Sequence, residues 1–312
     1  MRPWPRPEPG SPRAVRGSVP VRDESGTGAL TEARRCRARS AEVAAGGSLH
    51  GMQPFERLRY LARWSEDDGP ELLSEAADCL AAFGGDPAGL VVACRRLLAH
   101  HPSSASLWWL CSQVLAAPDA VDASWSAWQT YTDDATPGRL VSALPFPHDD
   151  PVAVLGWPDV IASGLAERPD LDVVAVRRRG QGDDLSRRLR RAEQPVRVVA
   201  EPELLTLEPS HLLIETSAAG GGTAIVPFGA IDLAAAARAH DTKVWLVAPM
   251  GRVLPDRLFQ SLLRSIGDDD DTELIEADAV DLVVGPTGLD PAGAFTRRMD
   301  CAVAPELLRL AG

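Results

Sequence analysis

The sequence has almost no lysine, few aromatic residues and no long apolar run. Lys243 is the only lysine among 32 basic residues, so arginine carries nearly all of the positive charge. We interpret this bias, together with the high alanine content, as a GC-rich coding preference. No apolar run approaches the roughly 20 residues that a membrane-spanning helix requires. We therefore expect no role that involves crossing a membrane.

The cysteines are few, and no two have the spacing of metal ligands. Three of the five fall on faces of predicted helices that are apolar, which is typical of small core side chains in a reducing cytosol. The glycine run at residues 220–222 lacks the GxGxxG spacing of a dinucleotide-binding loop. We therefore expect a cytoplasmic protein with no metal ion and no cofactor. The five cysteines are Cys36, Cys79, Cys94, Cys111 and Cys301.

The formal net charge of −12 is unevenly distributed along the chain. Residues 1–51 contain nine arginines and five acidic residues, a net charge of +4. The remainder contains 23 basic and 39 acidic residues, a net charge of −16. Because binding to nucleic acid requires clustered cations that neutralise phosphates, we expect no nucleic-acid partner for so acidic a body.

Residues 1–51 are rich in proline, arginine, glycine and serine, and they show no periodic apolar pattern. Such a composition cannot bury enough apolar surface to offset the entropy of ordering the chain. We expect a disordered basic tail. A second interpretation is that translation starts at Met52 and that the upstream residues come from an over-extended gene prediction.

Residues 52–145 have the apolar periodicity of a helical bundle, with four or five helices. Asp86 and either Ser103 or Ser104 are the expected N-caps of two of them. Trp125 and Trp128 share one helix face, and we interpret them as core residues rather than as a stacking platform. The predicted helices begin near Pro54, Pro70, Asp86, Ser104 and Asp119.

Residues 146–312 follow a proline-rich boundary and alternate short apolar runs with helical segments. This alternation is typical of a parallel sheet covered by helices on both faces. Within residues 210–250 we expect a strand, a glycine turn, a second parallel strand at residues 224–226, a helix and a further strand. The predicted fold class is therefore α/β, with an N-terminal helical bundle followed by a Rossmann-like, mostly parallel sheet domain.

A loop rich in arginine and glycine follows the second predicted strand. Arg177 ends that strand, and the small residues up to Gly182 let backbone N–H groups approach a ligand before the next helix begins. An arginine fork beside a helix N-terminus can bind an anion. We add Gln181 to this predicted ligand site, and also Gly220 and Gly221, which form a tight turn with close backbone approach. The alternative is that the arginines are solvated and the following aspartates only cap the helix.

This order of segments resembles one superfamily over about residues 53–250. It looks like the alpha, beta and delta subunits of translation initiation factor 2B and the related isomerases that act on methylthioribose 1-phosphate and ribose 1,5-bisphosphate. The family has a proline where this chain has Arg178. Four positions of the arginine loop match the family pattern, namely Arg177, Gln181, Gly182 and Leu185.

The resemblance implies a catalytic pair that this sequence lacks. The isomerases move a proton with a cysteine after the first strand and an aspartate in a glycine-alanine-aspartate motif. Here the first segment is GWPDV, without cysteine, and the second motif is replaced by Glu215, Thr216 and Ser217. A serine does not replace a carboxylate near neutral pH unless a base activates it. If activity persisted, Glu215, Ser217 and Asp159 would be the candidate catalytic residues.

We therefore expect a divergent initiation factor 2B-like protein that is catalytically inactive. Its expected function is to bind a phosphorylated sugar or nucleotide as a regulatory or scaffold subunit, either as a homodimer or in a hetero-oligomer, in the setting of translation initiation. The first alternative is an active aldose–ketose isomerase whose acid and base have moved. The second is a protein that acts only through interactions with other proteins.

Overall fold

A computed structural model describes most of the chain beyond residue 52. No helix in this described part is long and apolar enough to cross a membrane. The predicted tail, residues 1–51, and Gln181 of the predicted ligand site lie outside it. The described residues are 53–64, 69–144, 150–156, 158–178, 182–267 and 269–308.

Six helices precede the first strand within the described residues. The predicted N-caps are confirmed, because the Asp86 carboxylate accepts a hydrogen bond from the Gly89 N–H at 2.9 Å and the Ser104 hydroxyl accepts one from the Leu107 N–H at 3.3 Å. The sixth helix packs against the main sheet and the helix Val160–Leu165 rather than against the five helices before it, and its Leu140 belongs to the core of the sheet. The helices are α1 (Pro54–Leu61), α2 (Pro70–Ala81), α3 (Pro87–His100), α4 (Ala105–Ala116), α5 (Ala120–Thr132) and α6 (Thr136–Ala143).

Seven strands form the main sheet in the order β10-β9-β7-β4-β1-β2-β3. All neighbouring pairs are parallel except β10 with β9, which confirms the predicted α/β class with a mostly parallel sheet. The chain runs outward from β1 through β2 and β3, and β4 then pairs with the other side of β1. The strands are β1 (Val152–Leu155), β2 (Val173–Arg177), β3 (Val196–Ala200), β4 (His211–Glu215), β7 (Lys243–Val247), β9 (Leu282–Gly285) and β10 (Gly288–Pro291).

A second, three-stranded sheet corrects the prediction for residues 224–226. These residues lie in an antiparallel hairpin, not in the parallel sheet. The reason is the length of the connection, since a parallel crossover needs a dozen or more residues and the turn here has only two. The sequence GDDDDTE at residues 267–273 predicts a solvated acidic loop, and this loop is shorter than predicted because the third strand begins at Thr272. The strands are β5 (Ala218–Gly220), β6 (Thr223–Pro227) and β8 (Thr272–Glu276), in the order β5-β6-β8.

The remaining helices alternate with the strands. The sequence predicts a helix over residues 256–266, which the structure confirms, and a terminal helix over residues 305–310, where the structure instead has a short 3-10 turn at Pro305–Leu307. Two further 3-10 turns span Leu205–Leu207 and Ala277–Ala279. The helices are α7 (Val160–Leu165), α8 (Asp183–Arg191), α9 (Glu201–Leu204), α10 (Ala230–Ala239), α11 (Asp256–Ile266) and α12 (Ala292–Phe295).

Three apolar clusters hold these elements together. Helices α1–α5 share one cluster with α11 and with side chains of the small sheet. The second covers the face of the main sheet that packs on α10, and the third covers the face that packs on α6, α7 and α8. Trp125 and Trp128 are half-buried at the edge of the helical core, and Trp128 packs against it. The cysteines at 79, 94 and 111 are fully buried in that core, as their pattern predicts.

Candidate functional site

The strand order reverses between β1 and β4, and the candidate site lies at the carboxyl ends of these two strands. Ligands of open α/β sheets bind in the crevice at such a reversal, because the loops that follow the two strands diverge there. Asp159 follows β1, and Glu215 ends β4. The structure therefore brings together two of the three candidate catalytic residues that the sequence predicts.

The Glu215 carboxylate caps the first turn of α7. Its Oε2 atom accepts hydrogen bonds from the Val160 N–H at 2.9 Å and from the Ile161 N–H at 3.0 Å. Burial raises the pKa of Glu215 to about 7, against the opposing effects of the Ile161 N–H and the Arg252 guanidinium. Burial thus favours the protonated form of this carboxyl group more than it is favoured in an exposed glutamate, and the carboxyl group occupies both of these backbone donors.

Ser217 occupies the position where the resemblance places the catalytic aspartate. Its hydroxyl lies 3.5 Å from the Ile225 carbonyl oxygen, at the limit of a hydrogen bond. The neighbouring Thr216 hydroxyl donates to the carbonyls of Ala218 and Ile225 at 2.7 and 2.8 Å. Among the described residues, neither a carboxylate nor an imidazole contacts the Ser217 hydroxyl. The hydroxyls of Ser217 and Thr216 therefore stabilise the base of the β5–β6 hairpin.

Asp159 is an exposed ion-pair residue. Its carboxylate accepts a hydrogen bond from the Arg188 Nη1 group of α8, and its side chain is 61% exposed. Arg188 also donates to the Ser163 hydroxyl at 3.1 Å. This pair joins α7 to α8 across the carboxyl ends of β1 and β2. Asp159 is close enough to Glu215 for its negative charge to contribute to the raised pKa of that residue.

Arg177 and Gly182 flank the loop of the predicted anion site. The Arg177 side chain is 56% exposed, and its Nη2 group lies 3.3 Å from Oδ1 of Asp183 in the first turn of α8. Gly182 has a φ of +92°, and a Cβ atom there would lie 2.8 Å from the Val176 carbonyl oxygen. Only glycine fits this position without strain.

Gly220 and Gly221 approach α11 closely. A Cβ atom at Gly220 would lie 2.6 Å from Cβ of Phe259, and one at Gly221 would lie 2.4 Å from Oδ1 of Asp256. The close backbone approach inferred from the sequence is therefore to a neighbouring helix. These two glycines do not join the cluster around Glu215.

Sequence reasoning missed Arg178 as a residue of this site. Its Nη1 group donates to the Glu201 carboxylate, and it lies 3.4 Å from the Gly229 carbonyl oxygen. The guanidinium carbon stands 5.4 Å from the centroid of the Phe228 ring, in cation–π geometry. One sequence signal could have identified Arg178, because the family has a proline at this position.

Sequence reasoning also missed Arg252, which lies in the loop after β7. It is only 7% exposed, and its Nη1 group donates to the Ser217 carbonyl at 3.2 Å. The Asp300 carboxylate holds this loop by accepting from the Gly251 and Val253 N–H groups at 2.9 and 3.1 Å. No sequence motif marks Arg252, because its partners are distant along the chain.

The described residues contain no group of three or more histidine, cysteine, aspartate or glutamate side chains that could hold a metal ion. The described thiols also lie away from the β1–β4 crevice. Cys79, Cys94 and Cys111 are inside the helical core, and Cys301 packs against that same core. No described cysteine therefore faces Glu215 or Ser217 across the crevice.

Comparisons of sequence find no relative, since no family model and no curated protein matches the chain. Comparisons of structure do find proteins with a similar fold. Translation initiation factor eIF-2B from Pyrococcus horikoshii OT3 superposes with a TM-score of 0.61 at 11% identity, covering 76% of this chain and 96% of that one. The corresponding values for eIF2B beta from Chaetomium thermophilum are 0.60, 15%, 81% and 91%.

An enzyme has the same architecture. The 5-methylthioribose 1-phosphate isomerase of Pyrococcus horikoshii OT3 superposes with a TM-score of 0.56 at 12% identity, covering 78% of this chain and 86% of that one. Identities this low carry information about the fold alone. The chain has the fold shared by the subunits of initiation factor 2B and 5-methylthioribose 1-phosphate isomerase, as the resemblance of its sequence predicts.

Proposed function

We propose that this protein is a catalytically inactive relative of these structures that binds a phosphorylated sugar or nucleotide and acts as a regulatory or scaffold subunit in the cytoplasm. The observation that carries the proposal is the environment of Ser217. A proton transfer between adjacent carbons of a sugar needs an acid and a base within hydrogen-bond reach of the substrate. At the expected aspartate position, the hydroxyl of Ser217 has a backbone carbonyl, and no titratable side chain, as its hydrogen-bond partner within the described residues.

The expected thiol of the isomerases has no replacement beside Ser217 among the described cysteines. Asp159 is exposed and paired with Arg188, so its carboxylate is directed toward α8. Glu215 is held by two backbone N–H groups. The carboxylates that remain in the crevice thus have structural partners, which favours binding over catalysis.

We place the phosphate-binding part of the site at Arg177, Gly182 and Gln181. Arg177 has the exposure that a ligand requires, and Gly182 precedes the first turn of a nine-residue helix whose N–H groups favour an anion. Asp183 opposes a phosphate there. A bound phosphate would therefore have to replace Asp183 as the ion-pair partner of the Arg177 guanidinium. We expect modest affinity for this reason.

A similar fold occurs in an assembly of several chains. The tetrameric eIF2B-beta2-delta2 complex from C. thermophilum contains a chain that superposes with a TM-score of 0.56 at 16% identity. It covers 87% of this chain and 98% of that one. By analogy, we propose that the present protein also associates with other chains, either as a homodimer or as part of a hetero-oligomer. We further propose that it acts in translation initiation.

Titration calorimetry on the full chain tests ligand binding. The ligands are ribose 1,5-bisphosphate, methylthioribose 1-phosphate and AMP, with ribose as the uncharged control. We expect Arg177→Ala to weaken binding of a phosphorylated ligand by about tenfold, as loss of one charge-assisted contact implies. Arg190→Ala is the matched control, because Arg190 is an exposed arginine of α8, the helix that follows the Arg177 loop, and it has no ion pair in the described residues. If none of the ligands gives heat, the protein acts through protein interactions alone and the ligand part of the proposal is wrong.

A second candidate function is an aldose–ketose isomerase in which Glu215 is the base. The observation in its favour is the pKa of about 7 for Glu215, which suits a general base at neutral pH. Measurable turnover of either sugar phosphate, reduced by about a hundredfold or more in Glu215→Gln, would establish this function. It would also overturn the proposal that the protein is inactive.

A further inference from the structure

An open cavity of about 410 Å³ lies two strands away from the β1–β4 crevice. It is bordered by the carboxyl-terminal end of α5 and by the loops that follow β7 and β9. A volume of this size falls within the range of roughly 300–1,000 Å³ that is usual for sites that bind small molecules. None of the residues that the sequence predicts for the site lines this cavity.

One wall of the cavity is a polar stripe on α5. The stripe follows the helical repeat at positions i, i+3, i+4 and i+7. It consists of Ser126, Gln129, Thr130 and Asp133. The Thr130 hydroxyl donates to the Ser126 carbonyl at 2.8 Å. Among the described residues, the Ser126 hydroxyl, the Gln129 amide and the Asp133 carboxylate have no hydrogen-bond partner, so these three groups remain for a ligand with several hydroxyls.

The opposite wall is apolar and fixed in place. It is formed by Met250 and Pro286. Asp134 secures this wall to α5, because one carboxylate oxygen accepts from the Met250 N–H at 3.0 Å. Its other oxygen accepts from the backbone N–H and the hydroxyl of Thr136 at 3.0 and 2.7 Å. The cavity is therefore formed before a ligand enters.

The charges of the residues that line the cavity determine which sign of charge a ligand should carry. Asp133 and Asp134 both line the cavity, and its lining includes no arginine, lysine or histidine of the described part of the chain. The cavity also adjoins the C-terminus of a helix of 13 residues, where the helix dipole favours a positive charge. These two contributions have the same sign, and together they disfavour a phosphate.

We infer that this cavity binds a small organic cation with several hydroxyl groups, of which an amino sugar is the simplest example. Its ammonium group would lie beside Asp133, and its hydroxyls would bond to Ser126 and Gln129. The carbon face of the sugar would pack on Met250 and Pro286. This ligand class is opposite in charge to the phosphorylated ligand proposed for the Arg177 loop, so the two sites are independent.

Three sugars of similar size test the inference on the full chain. They are glucosamine, glucose and glucose 6-phosphate, which differ mainly in charge, and the measurement is equilibrium binding by ligand-detected NMR below neutral pH, where the amine is protonated. We expect glucosamine to bind about threefold to fivefold more tightly than glucose, as one ion pair with the exposed Asp133 carboxylate implies, and glucose 6-phosphate not to compete.

Two variants locate the binding. Asp133→Asn should reduce the preference for glucosamine to less than about twofold, while Asp122→Asn, which removes an exposed carboxylate in the first turn of α5, should leave it unchanged. Gln129→Leu should weaken glucosamine and glucose alike, because it removes a bond to a hydroxyl. The inference is overturned if no sugar binds, if glucosamine and glucose bind equally well, or if Asp133→Asn and Asp122→Asn behave identically. None of these outcomes affects the Arg177 experiment.

Discussion

Replacing Glu215 with glutamine should change how the stability of the protein depends on pH. The folded protein raises the pKa of Glu215 to about 7 from its ordinary value of 4.5, and burial is the main cause. Between these two values the folded state binds more protons than the unfolded state, so stability falls as pH rises. The contribution is fully present below about pH 4.5 and is lost once pH passes about 7.

The size of the effect follows from the interval between the two pKa values. Each pH unit of that interval corresponds to about 1.4 kcal/mol, so the ionised carboxylate lowers the free energy of unfolding by up to about 3 kcal/mol. Glutamine keeps an acceptor oxygen for the Val160 and Ile161 N–H groups but forms weaker, uncharged hydrogen bonds. We therefore expect Glu215→Gln to be more stable than the wild type by about 1–2 kcal/mol at pH 8, with a rise in Tm of about 3–6 °C.

Urea denaturation of the two proteins between about pH 5 and pH 8 measures this difference directly. Other titrating groups contribute equally to both proteins, so the change in free energy between them isolates Glu215. The advantage of the variant should grow with pH up to neutrality and then stay constant. Parallel curves over the whole range would show that Glu215 ionises as freely in the folded protein as in the unfolded one, and the argument from burial would be refuted.

Two further predictions concern the loops around the site. Asp300→Asn should lower the free energy of unfolding by about 2–4 kcal/mol, because its side chain is only 4% exposed and accepts from two backbone N–H groups and an arginine. Asp170→Asn, which breaks an exposed pair, should leave the denaturation midpoint unchanged within error. Gly229→Ala should destabilise by about 1–3 kcal/mol, because φ is +88° and the new Cβ would lie 2.0 Å from Cζ of Arg178. Gly138→Ala, in a helix with no atom within 4 Å of the new Cβ, should instead be neutral or stabilising when both variants are compared by urea denaturation.

The sequence predicts most elements whose signal is local. Helix α11 and the N-caps Asp86 and Ser104 follow from apolar spacing and capping chemistry, which act within a few residues. Strand β10 was missed because Gly288–Pro291 is short, mostly exposed and contains glycine and proline, so it has no apolar run. Strand β6 was assigned to the wrong sheet, because a buried apolar run has the same composition in either one. Only the pairing partner distinguishes the two cases, and pairing is not local.

The same distinction between local signals and distant contacts explains which parts of the candidate site could be predicted. Asp159 and Glu215 could be predicted as neighbours because each follows or ends a parallel strand, and such ends meet at one edge of the sheet. The partners of these side chains could not be predicted. Arg252 donates to a carbonyl 35 residues away along the chain, and Asp159 pairs with an arginine 29 residues away. Contacts at such separations depend on the packed structure as a whole.

The helices and the small sheet share one apolar core, and this sharing limits how far the crevice can open or close. Ala218 and Ile225 of the hairpin and Phe259 of α11 are buried in the same cluster as Trp109 of α4. A hinge motion between the helical half and the sheet half would pull these side chains apart and wet them. Ligands should therefore meet an entrance of constant width, so that selection depends on shape and charge at first encounter rather than on closure around the bound molecule.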